Sequence, residues 1–284
     1  MSIRSAYSSY FEPAVLERER ESLVDNLLVT MRTYARVGAH GCVWERPGAM
    51  AVYSGRPGAI FNSLLLTRSA TNEEELEEIF AWANAHYGEA GARWSLWLAE
   101  HFVTQQLLGR VGRILQRYNV ALQHRSVGMT VERAQLLVPQ KPLRDLSRDL
   151  QVRPIVDRTQ RYDFCFVMSR AFVTALPTYV DAYEPARYWE GGLKGFLVYR
   201  EGRAVACACY RESQDAVGLY GVATLPEEQG RGIGESLVRW VLEEAHQETG
   251  LERFVLEANE RATPLYRRIG FRPIARVAVY NEVF

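Results

Sequence analysis

The chain has 284 residues, 48% hydrophobic and 24% charged, the balance of a folded globular protein with room for about two domains. Lys and Arg together number 34, as do Asp and Glu, so the formal net charge is +0 at pH 7. That excludes a nonspecific nucleic-acid or membrane-surface binder, which draws its affinity from surplus positive charge.

The predicted elements run as follows. Pro13 to Val37 carries helical apolar spacing at Leu16, Leu23, Leu27, Leu28 and Met31. Cys42 to Tyr53 reads as a hairpin turning at Pro47-Gly48, and Phe61 to Leu66 as a buried strand. Thr71 opens a helix, with Glu74 completing a capping box and Leu76, Ile79, Phe80 and Ala83 on one face. The Glu73-Glu74-Glu75 run suits the positive end of that helix. Trp94 to Leu98 reads as a strand. Glu100 to Arg117 reads as a helix with Phe102, Val103, Leu107, Val111 and Leu115 inward, and Val120 to Val131 returns as strand. The prolines near Val138-Pro139-Gln140-Lys141-Pro142 mark a junction.

The second half repeats much of that order. It reads as strand 152–156, one or two helices, strands 195–199, 204–210 and 216–223, helix 233–249, strand 254–258, a short helix and a last strand. Between the strand ending at Ala223 and the helix starting at Ile233 lies Leu225-Pro226-Glu227-Glu228-Gln229-Gly230-Arg231-Gly232-Ile233-Gly234. A glycine-rich turn entering a helix leaves backbone N–H groups without intrahelical partners, at the positive end of the dipole. That is an anion site suited to phosphate or pyrophosphate. No Lys-Ser or Lys-Thr follows the glycines, so it is not a P-loop. Gly230, Gly232 and Gly234 alternate, and position 235 is Glu235, so it is not a dinucleotide fingerprint.

The loop instead fits Gln/Arg-x-x-Gly-x-Gly/Ala through Gln229, Gly232 and Gly234. Downstream stand Asn259 and the run Leu265-Tyr266-Arg267-Arg268-Ile269-Gly270-Phe271. In these features residues 150–284 resemble the GNAT superfamily of acyl-CoA-dependent N-acyltransferases. The resemblance implies an α/β (α+β) fold, a mixed, mostly antiparallel twisted sheet flanked by helices. Residues 1–140 follow the same element order without the loop: Ala99-Glu100-His101 leads straight to a helix holding Gly109 and Gly112. Two GNAT-like halves in tandem are therefore expected, the first having lost its cofactor site and shaping the acceptor cleft, with an unrelated α/β domain as the competing reading.

The resemblance further implies acetyl-CoA held by Gln229, Gly230, Arg231, Gly232, Ile233 and Gly234, with Val222, Ala223, Thr224 and Asn259 beside it. A backbone N–H near Val222 would polarise the thioester carbonyl, and Tyr266 would protonate the leaving thiolate. The base that takes the amine's proton is open among Glu257, Tyr220 and a bound water. Glu257 lies on the opposite strand face from Leu256, which is either the acceptor cleft or solvent. The helices that would flank the acceptor carry Tyr162, Phe164, Phe166, Tyr179, Tyr183, Tyr188 and Trp189, with Asp181 and Glu184 near them. The acceptor is expected to be a primary amine on a small molecule or peptide. A noncatalytic acyl-CoA sensor on the same fold is the alternative.

Cys42, Cys165, Cys207 and Cys209 make no Cys-x-x-Cys pair, and the histidines show no metal spacing, so no metal is expected. Met1 to Ser5 lacks the apolar core of a signal peptide, and no apolar run is long enough for a membrane span. A cytoplasmic protein, monomeric or homo-oligomeric, is expected.

Overall fold

The computed structural model describes residues 13–138 and 150–283. The junction expected at 138–142 and the N-terminal residues Met1 to Ser5 therefore lie largely outside the described residues. The first half comprises α1 (Pro13–Arg32), β1 (Cys42–Arg46), β2 (Ala49–Tyr53), β3 (Ser63–Leu66), α2 (Glu73–Glu89), β4 (Ser95–Ala99), α3 (Gln105–Gln116) and β5 (Val120–Glu132). The second comprises β6 (Leu150–Pro154), α4 (Arg158–Phe172), α5 (Leu176–Tyr183), α6 (Ala186–Trp189), β7 (Lys194–Arg200), β8 (Arg203–Glu212), β9 (Val217–Thr224), α7 (Ile233–Thr249), β10 (Arg253–Ala258), α8 (Thr263–Ile269) and β11 (Arg272–Glu282).

Two helix starts differ from the sequence reading. The cap of α2 is Asn72, whose side chain accepts from Glu75 N–H, while the Glu75 carboxylate accepts from Thr71 N–H. Glu75 rather than Glu74 thus closes the reciprocal pair. Residues 100–102 form a separate 3-10 turn, and α3 begins only at Gln105, capped by the Thr104 hydroxyl. Leu107, Val111, Ile114 and Leu115 form its buried face.

All strands join one 11-stranded sheet in the order β1-β2-β3-β4-β11-β5-β10-β9-β8-β7-β6. Neighbours are antiparallel except β3–β4 and β9–β10. The closing strands cross over. β5, from the first half, sits between β10 and β11, and β11, from the second, sits between β4 and β5. Each half borrows the other's last strand, so the halves share backbone hydrogen bonds instead of meeting at a linker.

One core cluster packs α4 and α7 against β7–β10, and another packs α2 and α3 against β2–β4 and β11. α1 lies across the middle of the sheet, touching β5, β9, β10 and β11. Its Leu23, Leu27 and Met31 are buried, each contributing roughly 1.5–3 kcal/mol. Strand glycines permit this approach: a Cβ on Gly128 would collide with Leu23, and one on Gly218 with the Asn26 side chain. Asn26, fully buried, uses the space as a clamp. Its Nδ2 donates to Arg211 O (2.9 Å) and Ala216 O (3.2 Å), and its Oδ1 accepts from the Tyr220 hydroxyl (2.7 Å). At the periphery Arg20 Nε donates to Ile274 O at 2.8 Å, and Glu19 pairs with Arg272.

Asn26→Ala removes the side-chain donor to Arg211 O and leaves the Tyr220 hydroxyl without its acceptor in the interior, while Ala216 O keeps the Ser213 N–H. Its expected cost is roughly 3 kcal/mol, read in urea unfolding as a lower midpoint at unchanged slope. A midpoint within error of the parent protein's would remove the clamp from the account.

Candidate functional site

β9 and β10 pair only at Val217–Phe254, Gly218–Val255 and Leu219–Leu256. Beyond that each strand follows its outer neighbour, β9 along β8 as far as Thr224–Ala206 and β10 along β5 as far as Ala258–Val127. A wedge opens between them. A β-bulge helps to open it: between the pairs Cys209–Tyr220 and Cys207–Ala223, Gly221 and Val222 oppose the single residue Ala208. Gly221 has φ of 57°, and a Cβ there would come within 2.9 Å of the Phe164 ring. The bulge gives the wedge a free strand edge whose polar backbone groups have no strand beside them.

A cleft of about 970 Å³ fills the outer part of the wedge. The turn leading into α7 lines it from Glu228 to Ser236. Gly232 is the N-cap of α7 at φ of 77°, and no side chain caps the helix. The first-turn N–H groups therefore have no intrahelical partner and lie at the positive dipole end. The approach is close: a Cβ on Gly234 would already sit 3.2 Å from Thr224 Oγ1. Gln229 lines the cleft, but its Nε2 donates to Thr224 O at 3.0 Å and so ties the turn to the end of β9. Arg231, half-exposed, pairs with Glu228 at 3.2 Å. Arg239, Arg261 and Arg268 also line the cleft against Glu228 and Glu235, so its rim carries surplus positive charge.

A second cavity of about 270 Å³ lies deeper in the wedge. Val222, Phe172, Asn259, Ala262 and Tyr266 line both spaces. Tyr266 on α8 is 5% exposed and meets Phe271 edge-on at 5.8 Å, and its hydroxyl has no hydrogen-bond partner among the described residues. Burial pushes its phenol well up, so it holds its proton. Asn259 Oδ1 accepts from Ala262 N–H at 2.9 Å and shapes the turn into α8.

Glu257 lines the inner chamber. Its Oε1 is buried without a partner, and burial pushes its carboxyl up to about 8, against a hydrogen bond from Ser126 that pulls it down. A carboxyl titrating there holds its proton at neutral pH and becomes able to take one as pH rises through about 8. Tyr220 also lines the chamber, but its hydroxyl is committed to Asn26 and burial pushes its phenol far up, so it serves as an anchor. Burial likewise raises the thiols of Cys207 and Cys209, which keeps them protonated.

Of the flanking aromatics read from the sequence, Phe164, Tyr183 and Tyr188 line the chamber. Tyr162 is exposed, and Trp189 Nε1 donates to Tyr183 O at 2.6 Å. Asp181 and Glu184 do not line it: Asp181 is exposed and Glu184 pairs with Arg158. The sequence reading missed Leu27, Thr30 and Met31 at the end of α1, Tyr34 in the 3-10 turn that follows it, Trp97 on β4, and the arginines of the outer cleft. Leu27, Met31 and Tyr34 do fall on one helical face, but that spacing carries only a core signal. Among the described residues no cluster of three or more metal-ligating side chains occurs, and no helix is long and apolar enough to cross a membrane.

Residues 163–271 match the model of the acetyltransferase (GNAT) family. A segment of 82 residues is 38% identical to UPF0039 protein C11D3.02c of Schizosaccharomyces pombe, covering 28% of this chain and 55% of that one, so the match spans about half of that relative's length. The fold resembles a GCN5-related N-acetyltransferase from Kribbella flavida, at TM-score 0.66 and 15% identity over 91% of this chain and 96% of that one. It also resembles a tandem GNAT protein from the clavulanic acid biosynthesis pathway, at TM-score 0.58 and 10% identity over 95% of both chains. The expected α/β fold with GNAT-like halves is thus the fold observed.

Glu257 has a consequence for stability. Folded, its carboxyl titrates at about 8, against 4.5 ordinarily. Between those values the folded protein keeps a proton the unfolded chain has released, so stability falls as pH rises through that window. Melting temperatures at pH 5 and pH 9 should therefore differ more in the parent protein than in Glu257→Gln, which has no carboxyl to ionise. Equal pH dependence in the two would contradict the buried placement.

Proposed function

We propose an N-acyltransferase that moves an acetyl group from acetyl-CoA to a primary amine, a reading that starts from the match of residues 163–271 to the acetyltransferase (GNAT) family. The observation that carries this reading is the meeting of the two cavities at Val222 and Tyr266. One space suits a phosphorylated thioester and the other a small nucleophile. Where they touch, an unpaired strand edge and a protonated phenol stand together.

The outer cleft fits coenzyme A. The uncapped start of α7 offers N–H donors to a pyrophosphate at Gly230, Arg231, Gly232, Ile233 and Gly234. Arg261, without an ion-pair partner among the described residues, and Arg268 add charge for a further phosphate. Val222, Ala223 and Thr224 continue the wall toward the chamber, and Asn259 stands opposite. When bound, the cofactor supplies an activated acyl group as a thioester.

The residues then divide the work. Glu257 takes a proton from the amine, whose nitrogen forms the new bond to the carbonyl carbon as the carbon–sulfur bond breaks. The backbone at Val222 donates to the carbonyl oxygen as it gains charge. Tyr266 returns a proton to the departing sulfur. Glu257, aimed into the chamber and without a partner for Oε1, favours this enzyme over a sensor that only holds acyl-CoA. The four cysteines are free thiols, which supports placing the protein in the reducing cytoplasm.

Calorimetry with acetyl-CoA, followed by thiol release in the presence of amines, tests the reading. One cofactor site per chain with turnover is expected, and absence of binding would overturn it. Gly234→Asp places a carboxylate against the phosphate site and should weaken coenzyme A binding by roughly 100-fold or more. Unchanged affinity in a folded variant would refute the assignment of the α7 turn. Tyr266→Phe should lower kcat by roughly 100-fold with little change in cofactor affinity. An equal loss of binding would make Tyr266 a cofactor contact and not the acid.

A further inference from the structure

The inner chamber, at about 270 Å³, falls below the roughly 300–1,000 Å³ of sites that take drug-sized ligands. It has room for one ring and a short chain. Both halves of the protein wall it in, the first through Leu27, Met31, Tyr34 and Trp97, the second through Phe164, Tyr183 and Tyr188.

The wall is chemically one-sided. Glu257 is its single carboxylate, and no Lys, Arg or His is among the described residues that line it. Its tyrosines present rings more than hydroxyls. The hydroxyls of Tyr34 and Tyr183 lie 3.1 Å apart and bond each other, and that of Tyr220 belongs to Asn26. The rings of Tyr34 and Tyr188 stack at 5.4 Å, and Tyr183 meets Tyr188 edge-on at 5.0 Å. Two buried polar atoms of the wall have no partner among the described residues, the Thr30 hydroxyl and the Oε1 of Glu257, and of these Glu257 carries the acidic group that an amine would meet.

We propose that the acceptor is a small primary monoamine on an aromatic or otherwise apolar body, bearing no anionic group. This rests on the acyltransferase reading and specifies its substrate class. The amine meets Glu257, and the aromatic wall receives the body. A carboxylate or phosphate on the acceptor would be stripped of water with no cation to meet it, and would lie near Glu257. A second ammonium, as in a polyamine, would find no second carboxylate. Free amino acids, phosphorylated amino sugars and polyamines are thereby disfavoured.

The test compares initial rates of thiol release from acetyl-CoA with 2-phenylethylamine, L-phenylalanine and spermidine. The first two differ only in a carboxylate. The expected kcat/KM for 2-phenylethylamine exceeds the others by roughly 100-fold. Comparable or reversed values would overturn the substrate class and leave the transferase standing. If no amine is acetylated, the transferase reading falls, and calorimetry in the presence of coenzyme A decides the inference separately. Binding of 2-phenylethylamine without L-phenylalanine would uphold it, and binding of neither would overturn it. Met31→Arg places a guanidinium in the chamber wall and should shrink the preference for 2-phenylethylamine over L-phenylalanine at least 10-fold. An unchanged preference in the folded variant would move the amine out of this chamber. Should that variant fail to fold, the parent protein's ratio decides alone.

Discussion

Everything at the candidate site depends on β9 and β10 ceasing to pair after Leu219 and Leu256. Parallel strands normally continue side by side, because an unpaired edge leaves polar backbone groups unsatisfied. Here the two are drawn apart. β8 holds β9 through the bulge at Gly221 and Val222, while β5 holds β10 out to Ala258. The wedge is thus maintained by hydrogen bonds on its outer flanks. It opens beside the start of α7, so one local failure of sheet pairing sets an unsatisfied strand edge beside an uncapped helix.

The first half of the chain supplies more than support. α1 enters the wedge's floor through the gap left by Gly218 and Gly128, and its last turn closes the inner chamber. Without Tyr34 and Met31 that chamber would be an open groove in which Glu257 met water. Enclosure is what raises the Glu257 carboxyl to about 8. The proton affinity of a residue in one half is therefore set by side chains from the other.

What the sequence made legible was local. The α7 boundaries, Ile233 to Thr249, follow from a glycine entry and Gly250 at the exit, both strong short-range signals. The Gly230–Gly234 turn and Tyr266 were legible because fixed spacing marks them. At α2, Thr71 and Asn72 are adjacent capping candidates, and only the placement of the Glu75 carboxylate chooses between them. Alternation gave Glu257 a face but not what that face meets, because the chamber is closed by α1, more than 200 positions away in the chain. The exchange of β5 and β11 left no trace either. β5 holds a buried run from Gly128 to Val131 and β11 one from Val277 to Tyr280, which mark strands covered on both faces without naming their neighbours, and the choice of neighbour is settled by the whole sheet.

That exchange governs how the chain reaches its structure. Val120 pairs with Glu282, and Val127 with both Arg276 and Ala258, so central rungs of the sheet join the middle of the sequence to strands more than 120 positions later. Contacts of such separation make folding slow, since long loops must close before any pairing energy returns. The first half cannot complete its sheet early in synthesis, because the strand beside β4 follows every other described strand in the chain. It must wait with an exposed edge until β11 emerges. The two halves thus depend on each other's strands to complete the sheet, and a chain truncated before Arg272 would leave both unfinished.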